Sequence, residues 1–323
     1  MSWKFDPSTK NLVVRSVRFE SLGRGDRIDI VFNARTSAAV SRILAVLCAC
    51  LAAVAGADAG CAQTVNEASP WHEASHSRIR LISSTGLDYQ GKPVLAAAIE
   101  IVMDEGWKTY WRSPGEGLPP TLDWSASANV AEATVLWPAP SRLSQGQGVT
   151  LVGYEREVVL PVLVKATDAS LPIGLKLAIS YGVCSDICIP LEAVLELEIP
   201  PTAHGQHRDR IRAALDRVPR LQEQGVYCPH SFIAAVRRSV NGRPAWVIKT
   251  AFDDNANGLD LFVEGPEGRP LPPPALQPPS ARGRSHYVMF FDTQMAVDAL
   301  LDKTLILTTV SKQGSCESTW RVK

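Results

Sequence analysis

Two cysteines, Cys184 and Cys188, stand with three residues between them in the run Tyr181-Gly182-Val183-Cys184-Ser185-Asp186-Ile187-Cys188-Ile189-Pro190. A thiolate is a nucleophile, a soft metal ligand and half of a disulfide. The pair could therefore be a redox dithiol, a copper or zinc half-site, or a small structural staple. The residues on either side narrow the choice. Leu175-Lys176-Leu177-Ala178-Ile179-Ser180-Tyr181 alternates with period 2, and after Cys188 so do Leu191, Ala193, Leu195, Leu197 and Ile199 against Glu192, Val194, Glu196 and Glu198. That is the pattern of half-buried strands. The motif reads as strand, tight loop, strand, with the two sulfurs facing one another at a separation that a disulfide can bridge. A thioredoxin-type site needs a helix whose N-terminus stabilises the thiolate, and no helix follows Cys188.

Seven cysteines occur in all. Cys48 and Cys50 fall inside the apolar run Ala45–Ala55, which follows Arg35 and Arg42 and precedes the A-x-A forms Ala55-Gly56-Ala57 and Ala57-Asp58-Ala59. This is the layout of a secretory signal; the alternative is a membrane anchor, although the run falls well short of the ~20 residues of a span. Asp58 stands where a lipoprotein box ending at Cys61 would carry an aliphatic residue, which argues against lipidation. Some 34 polar, unpatterned residues (Met1 to Ala34) lie ahead of the signal. Translation is therefore expected to begin near Val31 or Val40, residues that a GTG codon could encode. The exported chain keeps Cys184, Cys188, Cys228 and Cys316, which allow three pairings. Locality favours Cys184 with Cys188 and Cys228 with Cys316. Closing the short loop removes unfolded-state entropy worth roughly 2 kcal/mol, the long one roughly 4 to 5. The local pair is the poorer staple and the better exchangeable bond, and Cys228–Cys316 is read as structural.

The elements that must carry this chemistry are strands. Short runs at Arg78–Ile82, Val94–Met103, Trp107–Trp111, Thr134–Trp137, Val158–Val164 and Leu175–Tyr181 are separated by turn material, the texture of a β-sandwich. After Pro200-Pro201, Ile211, Leu215 and Val218 form one helical stripe. Further strands are expected at Phe232–Val236, Ala245–Ala251, Leu259–Val263, Tyr287–Phe291 and Leu305–Val310, with Pro270–Pro274 as an extended loop. The fold class is thus all-β, a sandwich followed by a second small β-rich domain with one connecting helix. The parts are an upstream extension and signal over 1–61, a redox domain over 75–200 and a C-terminal domain over 206–323. With 33 basic and 33 acidic side chains the net charge is zero, so nothing marks the surface for nucleic acid or an anionic membrane. No later stretch is long and apolar enough to span a bilayer, and the mature protein is expected to be periplasmic.

The ordered series Gly106-Trp107-Lys108-Thr109-Tyr110-Trp111-Arg112, Gly153-Tyr154-Glu155, Val159-Leu160-Pro161-Val162, Tyr181-Gly182-Val183-Cys184, Cys188 and Pro190 resembles the N-terminal periplasmic domain of the DsbD disulfide reductases and their copper-tolerance relative ScsB. The resemblance covers about residues 75 to 200. It implies an immunoglobulin-like sandwich, with Cys184 and Cys188 passing reducing equivalents to periplasmic thioredoxin-fold partners or a membrane reductase. It also implies a cap loop over the pair, at Gly148-Val149-Thr150-Leu151. The family's membrane-spanning conduit and C-terminal thioredoxin-like domain are absent from this sequence. The cap residues and the gap between the cysteines also differ from the family pattern.

Five residues are candidates for flanking the pair: Trp107, Tyr110, Tyr181, Asp186 and Leu151. For Trp107, Tyr110 and the neighbouring Trp111 the alternative is a place in the sandwich core. For Asp186, a proton acceptor or a charge raising the thiol pKa, it is an ordinary turn residue. His72 with His76 and His204 with His207 have metal spacing but lack an accompanying Cys or carboxylate set, so no metal or other cofactor is expected. Three functions compete: thiol–disulfide exchange, a non-catalytic sandwich binding Cu(I) or a partner in copper tolerance or cytochrome maturation, and a scaffold in which both disulfides are staples.

Overall fold

A computed structural model describes Ser2–Asp6, Asn11–Arg15 and residues 67–323 apart from 116, 145–149, 202–204, 223–226, 254–257 and 279–282. The signal, its cleavage forms and the two start positions lie outside the described residues. The chain divides into two compact units, Met1–Thr64 and Val65–Lys323. In the first, β1 (Ser2–Asp6) and β2 (Asn11–Arg15) pair antiparallel. The stretch reads as unpatterned because each run is only five residues long, although Trp3, Phe5, Val13 and Val14 are strand-favouring types.

In the second unit the chain first makes β3 (His72–Ala74), β4 (Ser77–Tyr89), β5 (Lys92–Met103), β6 (Lys108–Tyr110), β7 (Thr121–Asp123) and β8 (Val130–Val135). It continues with β9 (Ser141–Ser144), β10 (Thr150–Glu155), β11 (Glu157–Ala166), β12 (Ile173–Cys184) and β13 (Cys188–Ile199). These form two facing sheets, ordered β3-β4-β5-β11-β8 and β13-β12-β6-β10-β9, with β7 also on β12. Between them lies an apolar core that includes Ile79, Leu81, Ile99, Leu160, Leu175, Leu177 and Leu195. This is the immunoglobulin-like sandwich of the sequence reading.

Helix α1 (Arg208–Leu215) follows. It buries Ile211 and Leu215 on the outer face of the first sheet, against Ile82, Leu87, Ala96 and Ala98. Arg210 pairs there with the buried Glu100, which also accepts from Arg80 Nε at 2.6 Å. Val218 lies past the helix end.

The remaining strands are β14 (Arg220–Leu221), β15 (His230–Val240), β16 (Arg243–Phe252), β17 (Asp260–Glu264), β18 (Ala275–Leu276), β19 (Arg284–Phe290), β20 (Thr304–Ser311) and β21 (Gly314–Arg321). A one-turn helix, α2 (Gln294–Asp298), capped by the Thr293 hydroxyl, precedes β20. These strands build two sheets, β14-β21-β20-β17 and β15-β16-β19-β18, around a core of Trp246, Ile248, Tyr287, Leu305 and Leu307. Phe262 of β17 and Val310 of β20 turn the other way and pack on the first sandwich's core. Cys228 and Cys316 are bonded.

Candidate redox site

The β12–β13 hairpin carries the two cysteines. Its register runs without a break from Ile173 opposite Ile199 to Cys184 opposite Cys188. Leu175, Leu177, Ile179, Tyr181 and Val183 face their partners Leu197, Leu195, Ala193, Leu191 and Ile189 on the core side. A one-residue slip would turn this apolar set to solvent, so the core fixes the register and the register fixes the cysteines as a directly opposed pair. They are disulfide-bonded, with Cα atoms 4.1 Å apart. The loop Ser185-Asp186-Ile187 is closed by the Ser185 N–H donating to Ile187 O at 3.0 Å.

Because the side-chain period is two, Gly182 and Cys184 face away from the core that Val183 enters. Strand β6 lies beside β12 with Thr109 opposite Val183 and Lys108 opposite Cys184, and the Thr109 hydroxyl donates to Gly182 O at 2.8 Å. The next residue, Tyr110, lays its ring over Gly182. A Cβ at Gly182 would sit 2.7 Å from that ring, and one at Gly117 would sit 2.2 Å from it. Only glycine fits on either side. The Tyr110 hydroxyl consequently reaches both sulfurs, 2.8 Å from Cys184 Sγ and 3.1 Å from Cys188 Sγ. Leu151 and, at its edge, Leu143 complete the small apolar cluster of Tyr110 and Cys184. Burial raises the Tyr110 pKa above its ordinary value, so the phenol keeps its proton and is available as a donor.

The two sulfurs differ sharply in access. Cys184 is fully buried at 0% exposure, whereas Cys188 is exposed. Beside it, Ile187 is 64% exposed, and Asp186 projects from the same loop into solvent. A nucleophile from outside meets Cys188, and Cys184 is then the leaving group, with a neutral phenol 2.8 Å away to donate to the departing thiolate.

Of the candidate flanking residues, the structure brings Tyr110 and Leu151 to the sulfurs and leaves Asp186 on the loop. It places two elsewhere. Tyr181 lies in the main core with its hydroxyl 3.0 Å from Ser77 Oγ. Trp107 stacks on His76 at a centroid distance of 3.9 Å, and His76 Nδ1 lies 2.9 Å from Asp104 Oδ2. Trp111 is buried next to Phe262. Of the proposed cap segment, Gly148 and Val149 lie outside the described residues, as does His204. Gly117 and Leu143 also shape the site, and neither carries a sequence signal that marks it. Among the described residues, no three His, Cys, Asp or Glu side chains are grouped to hold a metal ion, and no helix is long and apolar enough to cross a membrane.

Comparison with known proteins gives two likenesses. Residues 89–200 match the family model described as thiol:disulfide interchange protein DsbD, N-terminal. The solved N-terminal periplasmic domain of ScsB from Proteus mirabilis is similar in fold, with a TM-score of 0.59 at 21% identity, covering 80% of this chain and 98% of that one. That share is larger than residues 75–200 make up, so the likeness of fold extends into the C-terminal sheets. No curated protein matches the chain.

Proposed function

We propose that the segment matching the DsbD N-terminal family makes this chain a periplasmic thiol–disulfide exchange protein, passing reducing equivalents through Cys184 and Cys188 to or from thioredoxin-fold partners. The observation that carries the reading is the asymmetry of the pair: one sulfur open, the other buried, and one phenol on both. A staple gains nothing from an open sulfur, while exchange requires one.

In the accepting direction, a partner thiolate attacks Cys188 Sγ in line with the disulfide. The partner–Cys188 bond forms as the Cys188–Cys184 bond breaks, and the electron pair leaves with Cys184 as a thiolate. Tyr110 donates to that thiolate, which takes up a proton from solvent when the pair opens. The partner's second thiolate then attacks the partner sulfur of the mixed disulfide and releases Cys188 as a thiolate, which takes up the second proton from solvent. Two electrons and two protons have moved from the partner dithiol to this chain, and the partner ends as a disulfide. Run backwards, Cys188 thiolate attacks a partner disulfide and Cys184 resolves the intermediate. The exposed Ile187 gives a docked partner an apolar contact beside the reacting sulfur. Among thioredoxin-fold proteins and membrane reductases, either can fill the donor's place.

The test is the reduction potential of the Cys184–Cys188 bond, read by thiol alkylation in glutathione buffers. An exchange protein lies above roughly −300 mV, the level below which structural disulfides sit. A value below it contradicts the proposal.

A further inference from the structure

The strand that delivers Tyr110 is gripped from outside its own sandwich. Just beyond β6, the Trp111 N–H donates to Val152 O at 3.0 Å, which fixes the backbone after Tyr110. The Trp111 side chain, 1% exposed, meets Phe262 of β17 edge-on at 5.7 Å. The next residue, Arg112, places its guanidinium 4.9 Å from the Trp111 ring centre. It donates through Nε to Glu264 Oε2 at 2.9 Å and through a terminal nitrogen to Glu264 Oε1 at 2.6 Å and Glu317 Oε2 at 2.5 Å. A two-pronged fork of this kind fixes direction as well as distance. Burial opposes the charge on Arg112, but the two carboxylates outweigh it and hold its pKa above the ordinary value.

Glu264 ends β17 and Glu317 lies on β21 directly after Cys316, so both carboxylates belong to the C-terminal sheet that the Cys228–Cys316 bond anchors. From Arg112 the chain turns through Ser113–Gly115 and returns so that Gly117 closes on the Tyr110 ring. Arg112 therefore stands between the strand that carries the ring, β6, and Gly117, one of the two glycines that bracket it. Hydrogen bonds of 2.8 and 3.1 Å to two sulfurs tolerate little movement of that ring.

We propose that Glu264 and Glu317 are positioning residues for the redox pair: by clamping Arg112 they hold the Tyr110 hydroxyl on Cys184 and Cys188, so the C-terminal sheet sets the redox equilibrium of a disulfide carried by the first sandwich. The inference rests on the exchange reading above and adds a control to the same site. The equilibrium concerned converts the protein disulfide and two glutathione thiols into the protein dithiol and one glutathione disulfide. A loosened clamp withdraws the hydroxyl from the reduced Cys184 sulfur, a better hydrogen-bond partner than the weakly accepting disulfide, and shifts this equilibrium toward the protein disulfide.

The experiment measures that equilibrium constant for the full chain, for Glu264→Gln, for Tyr110→Phe and for the double variant, with melting curves to establish folding. Glu264→Gln is expected to lower the constant about threefold or more, which is about 14 mV at about 30 mV per tenfold. It is expected to add nothing once Tyr110 is Phe. An equal fall in the Tyr110→Phe background overturns the inference, since the carboxylate would then act by another route. So does an unchanged constant for Glu264→Gln when Tyr110→Phe lowers it, a result that leaves the exchange reading standing. A parent protein that does not equilibrate with glutathione overturns both. If Glu264→Gln does not fold, Arg112→Lys, which keeps the charge and loses the fork, is read by the same criteria.

Discussion

Replacing Tyr110 by Phe removes one oxygen from the site and leaves the ring between Gly117 and Gly182. Its effect can be worked from the geometry. In the oxidised protein the hydroxyl lies near two disulfide sulfurs, which are weak acceptors, so the ground state loses little. When Cys188 is attacked, charge develops on Cys184, the buried sulfur 2.8 Å from the hydroxyl. A hydrogen bond to a charged acceptor is worth about 1.5 to 3 kcal/mol. With about half of that charge present in the transition state, reduction slows roughly 3- to 13-fold. The sign follows from the phenol's state: burial raises its pKa, so through the neutral range it donates and stabilises a thiolate. The assay is reduction by dithiothreitol, quenched with acid, alkylated and read by mass spectrometry at Cys184 and Cys188. Opening of Cys228–Cys316 in the same samples serves as the internal control. Equal rates for the variant and the parent, or a faster variant, would refute the argument that the hydroxyl serves the leaving thiolate.

Gly182→Ala is expected to slow the same step without touching either sulfur, since its Cβ would fall 2.7 Å from the Tyr110 ring and push it off the pair; the alkylation assay reads it. Removing both Cys228 and Cys316 by Ala substitution opens a loop with a sequence separation of 88, costs about 4 to 5 kcal/mol and lowers the melting temperature by roughly 10 °C or more, as calorimetry would register. Burial lowers the His230 pKa, against the opposing effects of the Val310 carbonyl and Asp260. The unfolded chain therefore binds a proton that the folded one refuses, and stability falls as pH drops below about 6.5. Partial burial and Arg80 lower the His207 pKa and add in the same sense. Urea titrations between pH 7.5 and 5 should show this loss, reduced in a His230→Asn variant.

What the sequence made legible was local and periodic. The β12–β13 hairpin could be read because one of its faces is buried throughout, so its alternation is nearly strict, broken by the exposed Val194, and the pairing of Cys184 with Cys188 followed from that hairpin. The contacts that give the pair its character are long-range. Tyr110 meets Cys184 only because β6 lies between β12 and β10, an order that no residue pattern announces. Gly153 lies within β10, and only glycine fits there because a Cβ would meet Thr109 O at 2.0 Å. Gly117 reads as part of a loop, and its role is visible only once the Tyr110 ring is beside it. Strands β7 and β9 are three and four residues long and mostly polar, too short for period 2 to register. Arg112 and its carboxylates are separated by more than 150 positions, and nothing in their local sequence pairs them.

The most direct measurement of the central claim is a comparison of two single-cysteine variants in periplasmic extracts. Cys184→Ala leaves the exposed Cys188 without its resolving neighbour, and Cys188→Ala leaves only the buried Cys184. If exchange passes through Cys188, the first variant accumulates a mixed disulfide with a thioredoxin-fold protein that dissolves on reduction, and the second accumulates none. Trapping by Cys188→Ala instead, or by neither variant while both remain folded, would contradict the account.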